Sequence, residues 1–574
     1  TRLIDRLTYI MKWIFPPLQS EKIKEIQDKL DLPKQLVNIL LQRKIDKPRL
    51  IKEFLSLDLS MLHDPFLMKG MNAAVERIIK NIKKKPPIFI LGDYDVDGTS
   101  AASLLYLAIK KLGGMVMPFI PNREIDGHGI SKRAIKKAID GGADLFITCD
   151  CGINESTIIK EANNFGLDFI ITDHHIPGEN VPEAVAILNP KQKECEYPFK
   201  ELSGSGVAFK LVSALDLELN KSNHLIGEII DIAALGTASD LVSLTGENRL
   251  IVHHGFKKIK SNSCAGIKTL IQATNIKNID EINVSNFNFK IAPLINAAGR
   301  MNDANIIVDL LTTKNIRRAS NIGDRLIKEN KKRQVLQGIA LKEAFLRASL
   351  MDKETKLILL ENDGWHPGVI GIIAAKIKNK FKRPSIIITF DQDGNGNGSA
   401  RSMEGFNIYE ILSLFRGYFD SFGGHPFAVG FTLQKENFEL FKKDLLDHVI
   451  KTKFEIIEKK LILDGKLYLN DINHQFINAI NYLAPYGAGN LKPRFALEKL
   501  NIIGNPKIIG NGSHLRFQVK QNQKLIDVVA FGLAESYKYL ILGKLIDIAG
   551  FPEINIWKGK KRFQFNAQAI RLSI

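Results

Sequence analysis

The sequence predicts a multidomain α/β protein: a parallel-sheet domain, a long linking helix, a second smaller α/β domain and a C-terminal β-barrel. Between residues 88 and 172, four short apolar runs alternate with amphipathic stretches, as in βαβ units whose parallel sheet is covered on both faces. The charged stretch 316–348 has few helix breakers and is long enough to join two domains. After about residue 462, short alternating strands are divided by Gly- and Asn-containing turns, which favours a small barrel such as an OB-fold.

The length agrees with several domains, since 574 residues correspond to three or four units of about 100–200 residues each. The changes in pattern along the chain give their expected bounds. We expect an N-terminal helical segment at 1–75, the first α/β domain at 76–250, a helical region with the connecting helix at 251–350, the second α/β domain at 351–453, and the barrel at 454–574.

The net charge of +18 favours a polyanionic partner, although a sequence rich in Lys, Ile and Asn acquires charge without any function. No apolar run reaches the length of about 20 residues that a membrane helix needs. Four scattered cysteines lack the spacing of a zinc site and indicate reduced thiols. We therefore expect a cytoplasmic protein that does not associate with membranes.

Three carboxylates follow the first predicted strand at alternate positions: Asp93, Asp95 and Asp97. Like charges this close repel one another, and a divalent cation would remove the penalty. An EF-hand is excluded, because no Glu stands at the required distance and the loop joins a strand to a helix. The alternative is a helix-capping loop with surplus acidic residues.

Further residues that can bind a metal ion, both carboxylates and imidazoles, follow the later predicted strands. Asp150 follows the third strand, while Asp173, His174 and His175 follow the fourth; Asp240 ends an apolar helix further along. A single Asp in such a place would more often cap a helix. Because the carboxyl ends of parallel strands share one edge of the sheet, the coincidence predicts one site there.

Carboxylate oxygens with one or two imidazole nitrogens, and no thiolate, suit Mn²⁺ or Mg²⁺ better than zinc. Several carboxylates at one edge suggest two ions, the arrangement used for phosphoryl chemistry. The sequence therefore predicts a metal-dependent phosphoesterase.

Four motifs, GDYDVDGT, TCDCG, DHH and GTASD, stand in this order and resemble those of the DHH phosphoesterases. Further along, LSGSGVAFK, GRMNDA, GWHPGVIG, GSARS and GGHPFAVG resemble the RecJ-like exonucleases of that superfamily. The resemblance covers nearly the whole chain. It implies a DHH domain, a DHHA1 domain and an OB-fold.

The resemblance also implies roles for the acidic and imidazole residues. Asp95 and Asp97 would bind two metal ions, Asp150 would bridge them, His174 would be a ligand, and Asp240 would close the site.

Asp93 would lie close enough to join the ligands. Asp173 would orient an imidazole, and His175 would face the substrate phosphate.

The phosphate-binding residues follow in the same way. Arg300 would contact DNA near the scissile phosphate, and the pocket for a 5′-phosphate would contain Ser399, Arg401 and Ser402, with Arg123 and His425 beside it. His128 stands where the family has Tyr, and it would stack on a base more weakly. The glycine-rich Gly204-Ser205-Gly206 is not a phosphate loop, and we expect it to serve close helix packing.

In the barrel, Trp557, Phe563 and Phe565 alternate with basic residues. They would either stack on bases or fill the barrel core, and the sequence does not separate the two alternatives.

The resemblance implies a 5′→3′ exonuclease that degrades single-stranded DNA in repair and recombination, a monomer partnered by a single-strand-binding protein. Two other functions stay open: a phosphodiesterase for cyclic dinucleotides or very short RNA, and a DNA-binding protein without catalysis. The extra N-terminal, linking and barrel segments favour a polymeric substrate, and the complete set of carboxylates favours an enzyme.

Overall fold

The computed structural model describes residues 12–122, 125–127, 129–220, 224–274, 276, 278–301, 303–352, 354–452, 460–557 and 560–573. The described part of the chain begins with a short strand and four helices: β1 (Lys12–Ile14), α1 (Ser20–Leu30), α2 (Lys34–Gln42), α3 (Pro48–Ser56) and α4 (Met71–Lys84). Among the helices of these residues, none combines the length and the apolar composition needed to span a membrane.

The first sheet is parallel throughout, in the order β3-β2-β4-β5-β6, which confirms the predicted fold class. The sequence pattern did not predict β6, which is only three residues long. The elements are β2 (Ile88–Gly92), α5 (Val96–Lys111), β3 (Val116–Phe119), α6 (Lys132–Asp140), β4 (Leu145–Cys149), α7 (Ser156–Asn163), β5 (Asp168–Thr172) and β6 (Ala186–Leu188).

Both faces of this sheet are buried, which explains why its strands are continuous apolar runs rather than alternating ones. Phe89, Phe146 and Phe169 lie side by side on one face, with neighbouring ring centroids 4.9 Å apart. Ile90, Ile147 and their neighbours pack on the opposite face against the helices that follow the sheet. The strand ends are thereby fixed relative to one another.

The helices that follow the first sheet along the chain pack on it and then connect it to the second α/β domain. They are α8 (Gly204–Asn220), α9 (His224–Ser239), α10 (Gly246–Asn262), α11 (Ala265–Gln272), α12 (Val284–Asn286), a π-helical turn (Phe287–Ile291), α13 (Ala292–Met301), α14 (Asn305–Thr312) and α15 (Ile316–Leu350). Helix α15 has 35 residues and a length of about 50 Å at about 1.5 Å per residue. Its first half buries Ala319 and Leu326 in the core of the first domain, and its second half buries Ala344 in that of the next.

The second α/β domain contains a mixed sheet in the order β10-β11-β9-β8-β7, where only β7 and β8 are parallel. Its elements are β7 (Ile358–Glu361), α16 (Pro367–Phe381), β8 (Ser385–Phe390), β9 (Asn395–Arg401), α17 (Ile408–Ser413), β10 (Ser421–His425), β11 (Ala428–Gln434) and α18 (Lys435–Lys451).

The C-terminal strands form a closed barrel, because β14 pairs with β15 on one side and with β17 on the other. The elements are β12 (Lys460–Ile462), β13 (Gly465–Leu467), α19 (His474–Asn481), β14 (Phe495–Ile509), β15 (His514–Gln521), β16 (Lys524–Ala530), β17 (Leu545–Trp557) and β18 (Lys560–Leu572). The parallel pairing of β16 with β18 completes the ring.

Helices α1, α2 and α3 pack on this barrel, whereas α4 packs on the first α/β domain. Ile23, Ile26 and Leu36 share one apolar core with Leu467 and Phe476. Strand β1 pairs in parallel with β12. The first three helices and the barrel therefore share one core.

Candidate metal centre and phosphate sites

The loop after β2 folds back over the start of α5. Asp95 is the N-cap of α5, and its Oδ1 accepts hydrogen bonds from the backbone N–H of Asp97 at 2.8 Å and of Gly98 at 3.0 Å. A β-carbon on Gly98 would lie 2.5 Å from the backbone of Asp93, so only glycine permits this turn. The turn brings Asp93, Asp95 and Asp97 to one side of the loop.

Asp97 is fixed by the start of α8. The backbone N–H of Gly204 donates to its Oδ2 at 2.7 Å, and that of Ser205 donates to its Oδ1 at 2.9 Å. The helix dipole favours a carboxylate at this end. Sequence reasoning assigned the Gly204-Ser205-Gly206 segment to helix packing alone and so missed its role in holding an acidic residue.

Asp150 follows β4 in a left-handed backbone conformation, with φ of 64°. For a residue with a side chain this conformation is uncommon, and Asp and Asn tolerate it best. Its N–H donates to Thr172 O at 2.8 Å, which ties the ends of β4 and β5 together. The side chain is 4% exposed, so the carboxylate points into the molecule beside the loop of β2.

His174 lies between two carboxylates. Its Nε2 is 3.0 Å from Asp150 Oδ1 and 3.5 Å from Asp240 Oδ2. Within the described residues, neither of these two oxygens accepts a hydrogen bond, and His174 Nδ1 has no partner either. Burial lowers the pKa of His174 to about 4, which keeps the ring neutral and able to bind a cation through nitrogen.

Asp173 organises its neighbour His175. Its Oδ1 accepts from the backbone N–H of His174 at 2.7 Å and lies 2.7 Å from His175 Nδ1, while its Oδ2 accepts from Ile153 N at 3.0 Å. The hydrogen bond to Asp173 raises the pKa of His175 to about 9. His175 is thus a half-exposed, positively charged imidazole at the edge of the cluster.

Seven of the acidic and imidazole residues predicted from the motifs lie together. Their ligand atoms form overlapping groups whose members lie within 4.8 Å of one another: Asp150, His174 and His175; Asp97, His174 and Asp240; and Asp93, Asp95 and Asp150. Asp150 and His174 each belong to two of these groups.

The donors present fit a divalent cation. Burial, and then the charges of Asp240 and Asp95, raise the pKa of Asp97 to about 8; the pKa of Asp150 is raised well above its usual value, chiefly by burial and next by Asp97. Cations would remove this repulsion, and oxygen donors with one neutral imidazole suit Mn²⁺ or Mg²⁺. The carboxylate oxygens of Asp150 and Asp240 that lack hydrogen bonds are the donors best placed to bind such an ion.

Arg300 lies on the other side of the loop that carries Asp93 and Asp95. A β-carbon on its neighbour Gly299 would be 2.7 Å from Tyr94 O, so α13 presses directly on that loop. Arg300 Nη1 donates to Gly368 O, in the first turn of α16, at 3.4 Å. The end of α13 therefore joins the loop after β2 to the second α/β domain.

Ser399 and Arg401 form a pair on β9. Arg401 Nη1 donates to Ser399 Oγ at 3.0 Å. A β-carbon on Gly371 of α16 would lie 3.1 Å from Arg401 Nη2 and 3.2 Å from Ser399 Oγ. Both side chains therefore lie against α16, one turn after the contact with Arg300.

The other expected phosphate ligands differ in their surroundings. The buried Ser402 donates its hydroxyl to Phe406 O at 2.5 Å, which leaves no proton for a phosphate. His425 is exposed at the end of β10, where it pairs with Ala428, which pairs in turn with Arg401. The hydroxyl of Ser402 is therefore used within the domain, whereas His425 lies two strands from Arg401 in the same sheet.

Arg123 and His128 lie outside the described residues. The chain on either side of them is anchored: Asp126 accepts from Asn122 N at 2.7 Å and from Arg133 Nε at 2.7 Å. At the start of this loop, Ile120 N donates to Asn305 Oδ1 at 2.7 Å.

The aromatic residues of the barrel were expected either to stack on bases or to fill the barrel core, and the structure decides between these roles for Phe565. Phe565 is completely buried in the core, so it cannot stack on a base. Phe563 is partly buried, with its ring centroid 4.8 Å from that of His474. The side chain of Trp557 lies outside the described residues.

Known protein families match the first α/β domain, the second α/β domain and the barrel, one after another along the chain. Family models match at residues 87–237 (DHH family, N-terminal domain), 354–452 (DHHA1 domain) and 463–569 (RecJ OB domain). The single-stranded-DNA-specific exonuclease RecJ of Bacillus subtilis is 35% identical, over 96% of this chain and 70% of its own length. The Escherichia coli protein of the same name is 30% identical, over 94% of this chain and 97% of its own.

Among solved structures, that of RecJ in complex with Mn²⁺ from Thermus thermophilus has a TM-score of 0.83 and 27% identity, and the match covers 98% of this chain and 79% of that one. The Mg²⁺ complex of the same protein has a TM-score of 0.77 and 26% identity, with 98% and 78% covered. All three parts of the fold and their order are shared with these proteins, and the chain belongs to the RecJ family.

Proposed function

We propose that this enzyme is a single-stranded-DNA-specific exonuclease that removes nucleotides one at a time from the 5′ end. The observation that carries the proposal is the complete cluster of carboxylates and imidazoles at the edge of the first sheet, in a chain related throughout its length to exonucleases of that name. No residue of the expected cluster is replaced, which argues against a DNA-binding protein without catalysis.

We propose two Mn²⁺ or Mg²⁺ ions, held by Asp93, Asp95, Asp97, His174 and Asp240, with Asp150 shared between them. Asp150 belongs to two overlapping ligand groups and has two carboxylate oxygens, which supports its bridging role. When bound, the ions supply Lewis-acid catalysis, by making the attacking water more acidic and by neutralising charge on the phosphoryl group.

The remaining residues hold the DNA. His175, charged and fixed by Asp173, would face the scissile phosphate, and Arg300 would contact it from α13. Ser399 and Arg401 would bind the terminal 5′-phosphate. The distance between this pair and the carboxylates would then set the length of the released product at one nucleotide.

The bond that breaks follows from this arrangement. Water would attack the phosphorus between the first two nucleotides, and the 3′ oxygen of the first nucleotide would leave with a proton. The product is a nucleoside 5′-monophosphate, and the shortened strand keeps a new 5′-phosphate that can enter the same pocket. The polarity would therefore be a consequence of where Ser399 and Arg401 lie.

Two single-stranded oligonucleotides test the proposal, both with a 5′-phosphate, one labelled at the 5′ end and one at the 3′ end. With Mn²⁺ we expect immediate release of labelled mononucleotide from the 5′ end only, and none with Asp150→Asn. Early release of the 3′ label would refute the polarity. Cleavage of a dinucleotide with survival of the long strands would instead favour the small-substrate phosphodiesterase.

We further propose a role in DNA repair and recombination, in the cytoplasm, as a monomer that meets its substrate together with a single-strand-binding protein. The single-stranded-DNA specificity named for the relatives supports the role in DNA metabolism. Co-elution of the two proteins, and the mass of the enzyme by light scattering, would test the partner and the monomeric state.

A further inference from the structure

His366 caps helix α16 in an unusual way. Its Nδ1 accepts a hydrogen bond from the backbone N–H of Gly368 at 3.0 Å. N-caps are usually Ser, Thr, Asp or Asn, whose short side chains offer the single acceptor that the helix needs. Imidazole meets this need with one nitrogen and carries a second nitrogen on the far side of the ring.

The cap determines which of the two ring nitrogens carries the proton when the imidazole is neutral. Because Nδ1 accepts a hydrogen bond from the backbone, the ring's own proton in its neutral form must be on Nε2. Nε2 is therefore a hydrogen-bond donor, and within the described residues no hydrogen-bond partner of this nitrogen is found. His366 is half-buried, so part of the residue stays accessible to a ligand.

The position of the ring is set by the contact between α13 and α16. A β-carbon on Gly368 would lie 2.4 Å from Arg300 O and 3.1 Å from His366 Nδ1, so the cap and the Arg300 backbone meet at one point. One turn further along α16, Gly371 faces Ser399 and Arg401. His366 thus lies at the start of a helix that runs from the contact with Arg300 to the proposed 5′-phosphate pocket.

We propose that His366 contacts the substrate, with its Nε2–H donating to a non-bridging oxygen of the scissile phosphate beside Arg300. This inference rests on the function proposed above. The same ring would hold the start of α16 through Nδ1 and the phosphate through Nε2. It would thereby connect the reacting phosphate to the helix against which Ser399 and Arg401 lie.

Two substitutions separate the two nitrogens. In His366→Asn the amide oxygen can replace Nδ1 as the cap, but no donor reaches the position of Nε2. His366→Asp caps equally well and puts a negative charge beside the phosphate. A third variant, His366→Ala, removes the cap as well and serves as the control for a purely structural role.

The measurements are thermal unfolding and single-turnover release of the first nucleotide, with Mn²⁺, from oligonucleotides with a 5′-phosphate or a 5′-hydroxyl. We expect unfolding temperatures near that of the parent enzyme for Asn and Asp, and a lower one for Ala. Because a hydrogen bond to a charged group is lost, release should slow about 10- to 100-fold in Asn and further in Asp. The factor should be the same for both 5′ ends, since the scissile phosphate is common to them.

Full activity of His366→Asn would show that His366 is a cap and nothing more, and would overturn the inference. So would unfolding of both capping variants, or a loss confined to 5′-phosphorylated strands, which would assign the ring to the terminal phosphate. Failure of the parent enzyme to release any mononucleotide would instead refute the proposed function, whatever the variants do.

Discussion

Gly204 lies so close to Asp150 that a β-carbon there would be 2.5 Å from Asp150 Oδ1. The same glycine donates its N–H to Asp97 Oδ2. The start of α8 therefore approaches two of the proposed metal ligands, which explains why this position must be glycine.

We expect Gly204→Ala to abolish exonuclease activity, because the methyl group must displace either α8 or the carboxylate of Asp150. The loss should exceed about 100-fold, since the substitution moves a proposed metal ligand rather than a distant contact. The rate of mononucleotide release with saturating Mn²⁺ measures it.

Gly206→Ala is the matched control. Its β-carbon would meet a flexible end of Leu202 at 3.1 Å and Ser203 Oγ at 3.3 Å, and no carboxylate. Activity of this variant should stay within a few-fold of the parent. Equal loss in both variants would mean that α8 tolerates no substitution, and would remove the specific role of Gly204.

Metal binding should stabilise the protein, because buried carboxylates that repel one another exist only in the folded state. At a Mn²⁺ concentration of about 100 times the dissociation constant, the gain is about 2.7 kcal/mol, or a few degrees in unfolding temperature for a domain of this size. Adding EDTA should reverse the gain. The measurement is thermal unfolding followed at increasing Mn²⁺.

Asp150→Asn tests whether this stabilisation belongs to the cluster. Asn keeps the side-chain shape and tolerates the left-handed backbone at this position, whereas Ala does not. The variant should fold but lose both the Mn²⁺-dependent shift and the activity. An unchanged shift would place the stabilising ion elsewhere.

The meeting of the residues that follow the strands could be predicted, because the carboxyl ends of parallel strands lie at the same edge of a sheet. Asp150 and His174 follow adjacent parallel strands, so their meeting requires only the register of β4 and β5. The contact of Asp97 with Gly204 spans 107 residues and depends on how α8 packs, which no local pattern encodes. The same holds for the N-terminal helices, where Asn38 Nδ2 donates to Asp464 O, 426 residues away.

Motifs predict which residues gather but not where each side chain points. Ser399 and Ser402 belong to one motif, yet the first lies beside Arg401 and the second donates to Phe406 O. Strand geometry does not decide this, because Ser402 lies beyond the end of β9. The domain bounds and the roles of the site residues stay predictions until they are measured.

Arg401→Gln should remove the preference for a 5′-phosphate. We expect the release of the first nucleotide from a 5′-phosphorylated strand to slow about 10- to 100-fold, since a charge-assisted contact is lost, while a 5′-hydroxyl strand changes little. The ratio of the two rates is the measured quantity. Arg317→Gln, an exposed residue of α15 with the same change of charge, should leave the ratio unaltered. A ratio unchanged in Arg401→Gln would assign the terminal phosphate to another group.

A buried ion pair supports the first domain away from the metal centre. Lys210 and Glu247 are each 1% exposed, and Lys210 Nζ donates to Glu247 Oε1 at 3.1 Å. The other partners of Glu247 are Tyr197 OH at 2.6 Å and the backbone N–H of His63 at 3.0 Å. The pair thus joins α8 and α10 to the segment before α4.

Lys210→Met should destabilise this domain by about 3–5 kcal/mol, because it leaves the Glu247 carboxylate buried without its cation. Adding Glu247→Gln should recover part of the loss, since the neutral amide oxygen can still accept from the backbone N–H of His63 while its NH2 group donates to the hydroxyl oxygen of Tyr197. Urea unfolding, monitored by a probe in the first domain, measures both.

Lys435→Met serves as the control, because it breaks an exposed ion pair instead of a buried one. Lys435 and Asp363 form a shorter pair, 2.6 Å apart, but their side chains are 55% and 57% exposed. Water screens such a pair, so its loss should cost about 1 kcal/mol or less. Burial of an unpaired charge is not the cause of the destabilisation if Lys210→Met and Lys435→Met lower the free energy of unfolding equally. The same conclusion follows if the double variant at Lys210 and Glu247 is less stable than either single variant. Only a larger cost for Lys210→Met, reduced by the second substitution, agrees with a carboxylate that cannot reach water.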